Sequence, residues 1–383
     1  MKKLLPLVFL IAACSGRSSG GSNGVASGAA LRNVDVTIVY PLPKTGRLGD
    51  LPAPAESDVD APYLPASAFI GGVPDLDVTR PVPASDRKAS LRVVAIRFDP
   101  CPGVVATKPL SGCAPAMRVV LQSLYDEKGE VGARDGAAHA FYRLSPSDFA
   151  AALTELRAIR GEHASDPESA LSAHPVLVAE GLNGAYAVRL RGLLTRNATK
   201  ANLVRVTHFA RTSPDVPTWE FGISDLTGGS FQASKIASTS TTKQTLTTIS
   251  GGRWDAVIMP GLSTPDDVTA VFKVATKEEM KAKLVASVHV LNPRVHTSET
   301  IDCASCHIAP DVASFLRGTQ MLDVNAEPDH FVSTYPVSAA SISDDDAIAF
   351  TNIHMLSYLG TTLNVSPRAA NETAAVLEAL NDP

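Results

Sequence analysis

The sequence predicts an α+β fold, with a β-rich region over residues 31–293 and a small, mainly α-helical segment over 294–383. Three observations lead there. Short runs of β-branched and aromatic residues recur through the first region, as half-buried strands require. Helical spacing of apolar residues interrupts them at two places. After position 294 the apolar residues return at helical rather than alternating spacing.

Taken in order, Val34 to Ile38 alternates apolar and polar residues and predicts a strand. Leu91 to Phe98, Arg118 to Leu124, His139 to Tyr142, Leu203 to Phe209 and Trp219 to Ile223 predict further strands. Ala256 to Met259, Val268 to Val274 and Leu284 to Leu291 complete the set. Ser145-Pro146-Ser147-Asp148 supplies a helix N-cap, a proline at the first helical position and an early acid, ahead of Phe149, Leu153, Leu156 and Ile159 at helical spacing. A second helix is expected over Ala185 to Leu194, and the Pro- and Gly-rich stretch 41–76 reads as long surface loops or an extended arm. In the last segment Val312, Phe315 and Leu316 offer an apolar face, and Ser343 with Asp344 to Asp346 starts a helix. Ser366-Pro367 starts a terminal helix that buries Ala370, Ala374, Leu377 and Leu380.

An apolar fraction of 45% over 383 residues is enough for a sizeable core. The formal net charge is -5 with both signs interspersed, and aromatic residues make up only 5%. Neither a basic patch nor a stacking surface is visible, so nucleic acid is not an expected partner.

The N-terminus reads as an address. Lys2 and Lys3 precede the apolar run Leu4 to Ile11, too short to span a bilayer as a mature helix, and Ala12-Ala13-Cys14 follows. Ile11-Ala12-Ala13-Cys14 resembles the lipobox of bacterial lipoproteins. The resemblance implies a signal peptide over 1–13, acylation of Cys14 and a membrane anchor, with roughly 0.8 kcal/mol gained per buried methylene. Ser15 after the cysteine points, by the same resemblance, to the outer membrane, with the protein facing the periplasm. The alternative is an ordinary signal peptide with Cys14 incidental. Residues 14–30 are rich in Gly and Ser and suit a flexible tether.

Cys101 and Cys113 flank a Pro- and Gly-containing loop between two expected strands. In an exported protein the simplest reading is a disulfide, worth about 3 kcal/mol for a loop of this size. Free thiols or a metal pair are the alternatives.

Residues 301–310 read Ile-Asp-Cys-Ala-Ser-Cys-His-Ile-Ala-Pro. Cys-x-x-Cys-His is the attachment signature of c-type haem. Two thiols three positions apart can reach the two vinyl groups on one porphyrin edge, and the adjacent imidazole can then ligate the iron. The reading is therefore one covalent haem c, bound by Cys303 and Cys306 as thioethers with His307 as proximal ligand. A redox Cys-x-x-Cys, a zinc site and a structural disulfide are the competitors. The first lacks a thioredoxin-like setting, the second lacks another ligand pair, and the third is sterically awkward.

With that motif and the helical layout behind it, the segment from about residue 297 to 383, within the expected 294–383 unit, resembles a class I c-type cytochrome domain. The resemblance implies a distal methionine shortly before the last helix, a position held by Met355. His354 would give bis-histidine ligation instead, and Met321, His330 or an open position remain as further options. Such domains also carry a helix ahead of the motif, where the strand expected over Leu284 to Leu291 departs from the pattern. His139, His163, His174, His208, His289 and His296 receive no role.

The function expected is that of a membrane-anchored monohaem cytochrome that transfers electrons in the cell envelope to a redox partner the sequence does not identify. It is more an electron carrier than an enzyme, since no acid/base constellation is legible. The alternatives are a haem enzyme or gas sensor of peroxidase-like character, and a partner-binding lipoprotein scaffold. No motif in 31–293 names an activity.

Overall fold

The structure is a computed structural model that describes residues 29–54, 73–83, 85–100, 114–163, 170–248, 256–259, 276–320, 323–338 and 353–381. Cys14, the Cys101/Cys113 pair, Met321, the strand expected over 268–274 and the helix start at Ser343 lie outside the described residues.

The fold is α+β. Its main body is one antiparallel sheet of ten strands among the described residues. They are β1 (Thr37–Val39), β2 (Leu91–Asp99), β3 (Ala116–Glu127), β4 (Glu130–Ala133) and β5 (Gly136–Arg143), then β6 (Leu203–Arg211), β7 (Thr218–Thr227), β8 (Ser230–Ser234), β9 (Lys243–Thr248) and β10 (Ala256–Met259). The order across the sheet is β1-β2-β3-β5-β6-β7-β9-β10, with β4 on β3 and β8 on β7. Neighbours in sequence are mostly neighbours in space, the pattern that short hairpin connections favour. The β3–β4 turn places Lys128 and Gly129 at φ 53° and 84°, the left-handed conformation a tight two-residue hairpin requires.

Eight α-helices among the described residues accompany the sheet. The short α1 (Asn33–Val36) and α2 (Arg87–Ser90) each lead into a strand. α3 (Pro146–Glu162), α4 (Pro175–Glu180) and α5 (Ala185–Asn197) lie between β5 and β6 in sequence. α6 (Lys277–Leu291), α7 (Cys303–Gln320) and α8 (Pro367–Asn381) follow the sheet, with the hairpin β11 (Leu356–Leu359) and β12 (Thr362–Val365) before the last of them. The start of α3 is as the sequence indicates: Ser145 Oγ accepts from the Asp148 N–H at 3.1 Å, behind a proline at the first position. α8 likewise buries Ala370, Ala374, Leu377 and Leu380.

Two expectations are corrected. Val34 to Val36 is a turn of helix, because the Asp35 carboxylate accepts both the Arg32 N–H (2.8 Å) and its guanidinium (3.0 Å) and closes the turn locally. Only Thr37 to Val39 joins the sheet. Leu284 to Leu291, read as a strand from its valines, is the second half of α6. Thr276 Oγ1 accepts from the Glu279 N–H, and the Glu279 carboxylate takes the Thr276 N–H back. That reciprocal cap, followed by the strong helix formers of residues 277–283, starts a helix that packing then carries through the β-branched residues.

Segments on both sides of position 293 contribute to one hydrophobic core. Phe98, Met117, Tyr142 and Trp219 from the sheet, Leu156, Leu190 and Leu194 from α3 and α5, and Ile308, Leu316 and Leu377 from α7 and α8 all belong to it. Polar stitches cross the same boundary. Gln122 on β3 donates to the Tyr358 carbonyl (2.8 Å) and accepts its N–H (2.7 Å), while the Tyr358 hydroxyl reaches the Tyr40 carbonyl (2.8 Å). Among the described residues no helix is long and apolar enough to cross a membrane.

Candidate functional site

The sheet register builds the site row by row on one face. Cross-strand pairing aligns Arg97, Arg118, Phe141 and Arg205 across β2, β3, β5 and β6. The next row on that face is Val120, His139, Thr207 and Ile223. The third is Ala137, Phe209, Phe221 and Gln244, reaching β9. Because side chains alternate faces along a strand, positions two apart share a face, and these three rows form a continuous surface.

Helix α7 lies over that surface, and its first turn is pinned to the third row. Gln244 donates to Asp302 Oδ2 at 2.7 Å and accepts the Ala304 N–H at 3.0 Å. Asp302 Oδ2 also accepts the Ser305 N–H at 2.9 Å, a fully buried N-cap for the helix that begins at Cys303. One helical turn then carries Cys303, Cys306 and His307, as the spacing of the motif anticipates.

Between helix and sheet is a cavity of about 820 Å3, its open mouth included. Cys303, Cys306 and His307 line it from the helix, the first two rows of the sheet line it from the strands, and Met355 joins them from the segment ahead of β11. Both thiols are free, and burial pushes them up, that of Cys306 to about 11 and that of Cys303 further. That is the reverse of a reactive redox Cys-x-x-Cys, which works by lowering a thiol pKa.

His307 is oriented from behind. Its Nδ1 lies 2.7 Å from the Ile353 carbonyl, which can only accept, so Nδ1 carries the proton and Nε2 keeps its lone pair. Metal-ligating histidines are set in this way. Phe209 and Phe221 pack against the imidazole, each with its ring centroid 5.1 Å away. Burial pushes the His307 pKa down to about 4, with the Ile353 bond opposing and His354 adding to the fall, so the ring is neutral at pH 7.

His354 does not line the cavity. It is buried, with Nδ1 2.6 Å from Ser357 Oγ and Nε2 3.1 Å from Asp135 Oδ1. Asp135 also accepts from Trp219 Nε1 at 3.0 Å and Arg211 Nη1 at 2.9 Å. Burial alone would raise the Asp135 pKa, but the hydrogen bond and charge of His354, then Arg211 and Trp219, outweigh it and hold the carboxyl below its usual range. His354 thereby anchors the segment whose Ile353 carbonyl grips His307. His330 also lies away from the cavity.

At the other end of the cavity Arg97, Arg118 and Arg368 converge on Glu372 of α8. Burial opposes ionisation of Glu372, but the charges of Arg97, Arg368 and Arg118 overwhelm it and drive its pKa far below the usual carboxylate range. Arg97 Nε and Nη1 are buried without a hydrogen-bond partner. Three guanidiniums on one carboxylate leave positive charge in excess, an environment that suits an anionic group.

The residues that line the cavity therefore suit the chemistry of the group that the motif implies. Both thiols and the imidazole open onto one space, the imidazole presents an unprotonated Nε2, and cationic side chains stand at one end. Among the described residues no cluster of three or more His, Cys, Asp or Glu could hold a bare metal ion. Haem iron needs no such cluster, because porphyrin supplies four of its donors.

Sequence reasoning did not find His139, Arg97, Arg118, Arg205, Gln244 or Asp135. All but Asp135 are placed by strand register, which pairs residues tens of positions apart, and Asp135 by the turn between β4 and β5; neither leaves a local signature. Comparison with protein-family models, curated proteins and solved structures found no match to this chain.

Proposed function

We propose that this chain is a monohaem c-type cytochrome, an electron carrier whose haem is held by Cys303, Cys306 and His307. We further propose that it works in the cell envelope, anchored through acylated Cys14. The observation that carries the first reading is the convergence of both thiols and an Nδ1-protonated imidazole on one cavity. A helix, α6, precedes the motif, as the class I layout would have it.

In attachment each thiol adds across one vinyl group. Its sulfur bonds the carbon next to the ring and its hydrogen goes to the terminal carbon, so nothing is oxidised or reduced. Bound haem iron would supply one-electron exchange, taking an electron from a donor protein and passing it to an acceptor. The chain's own part is to fix the ring orientation of His307 through Ile353 and to wall it with Phe209 and Phe221, and Arg97 and Arg118 would offer countercharge to acidic haem substituents.

The test is export of the full chain in a host with cytochrome maturation machinery, followed by intact mass and a pyridine haemochrome spectrum. One haem per chain and acylation at Cys14 are expected, and Cys303→Ala with Cys306→Ala should abolish attachment. A correctly processed, colourless wild-type protein would refute the reading.

A further inference from the structure

We infer that His139, a residue of the β-sheet far from the attachment motif, is the second axial ligand of the iron. The inference rests on the haem reading above and specifies its coordination. His139 stands in the second row of the site, paired across the strands with Val120 and Thr207. It lines the same cavity as Cys303, Cys306 and His307, from the sheet side.

Register places the two imidazoles near one another. Thr207 is the direct partner of His139, and Phe209, two residues on, is its diagonal neighbour. Diagonal neighbours on one sheet face are about 7–8 Å apart, within reach of aromatic side chains. The Phe209 ring in turn touches the His307 ring. Two imidazoles sharing one metal need their nitrogens about 4 Å apart, twice a bond of about 2 Å.

The chemistry of His139 also suits a ligand. Neither ring nitrogen has a hydrogen-bond partner among the described residues, although its strand neighbours Ala138 and Ala140 are fully buried. Burial, then the charges of Arg118, His307 and Arg97, push its pKa down to about 3, so it is neutral at every physiological pH. A neutral imidazole that faces a cavity and has no protein partner keeps a ring-nitrogen lone pair free for a metal there. Met355 also lines the cavity, but it is two residues from the Ile353 carbonyl that grips the back of His307, and so belongs to the segment holding the proximal ring.

The experiment uses the full-length, haem-loaded protein. Ferric wild type is expected to be low-spin and to lack the long-wavelength sulfur-to-iron charge-transfer band of methionine ligation. His139→Ala should lose the low-spin signature, and added imidazole should restore it. His139→Met should gain the sulfur band and a higher reduction potential, the direction in which Met/His ligation moves a haem. Met355→Leu should leave the spectrum unchanged. A sulfur band in wild type, an unchanged low-spin spectrum in haem-loaded His139→Ala, or a high-spin Met355→Leu would each overturn the inference. If His139→Ala does not fold, the sulfur band expected of His139→Met decides in its place. A positive haemochrome with any of these outcomes leaves haem attachment standing and removes only the ligand assignment, whereas a haem-free wild type removes both.

Discussion

At the scale of single residues, the site depends on groups that never touch the cavity. Asp135 is buried and receives His354, Trp219 and Arg211 on one carboxylate. Removing that acceptor takes a partner from the Arg211 guanidinium, the Trp219 indole N–H and the His354 imidazole together. Asp135→Ala is therefore expected to cost about 3–5 kcal/mol, as for other buried pairs broken on one side. Urea unfolding of variant and wild type reads this directly, and a loss below 1 kcal/mol would contradict the network. At this scale the sequence was legible only where chemistry is local. Cys303, Cys306 and His307 declare themselves within five positions, while Asp135 and His354 lie more than two hundred apart and meet only in the fold.

At the scale of elements, sequence and structure agree where the signals of a segment concur. Leu91 to Phe98 is β2 and Ser145-Pro146 opens α3, because pattern and caps point the same way. They part where a short window contains only half the information. Leu284 to Leu291 looks like a strand until Thr276 and Glu279 are read with it, and Val34 to Val36 until Arg32 and Asp35 are. The latter pair sits in a buried cluster with a pH consequence. Asp35 is 3.6 Å from His174 Nε2, and the Tyr186 hydroxyl meets the same nitrogen at 2.8 Å. Burial lowers the His174 pKa more than Asp35 raises it, so the unfolded chain binds a proton there that the folded chain refuses. Burial would raise the Asp35 pKa, but His174 and Arg32 more than offset it, and the native carboxylate stays charged after the unfolded one protonates. Both contributions have the same sign. Stability is expected to fall as pH drops below about 6.5 through His174, and to fall further below about 4 as Asp35 protonates. Thermal melts of wild type against His174→Phe across pH 7 to 4 should show a shallower decline in the variant, and parallel curves would contradict this.

At the scale of the whole molecule, α6, α7 and α8 share one core with the sheet. The wall facing the attachment motif is made of β2, β3, β5, β6 and β7. Residues 294–383 expressed alone with maturation machinery are therefore expected to yield little stable haem protein, and what forms should be loosely folded. Circular dichroism and a haemochrome assay of that fragment check this, and a stable low-spin fragment would refute it. The described chain also closes on itself. Asn381 Nδ2 donates to the Leu31 carbonyl at 3.0 Å, and its Oδ1 accepts the Leu31 N–H at 3.3 Å. Such a polypeptide is nearly a ring with one cut, and the cut can be relocated. A circular permutant opened at the Lys128-Gly129 hairpin, with a short peptide bridging Asn381 to Leu31, keeps every strand neighbour across the opposed faces of the cavity.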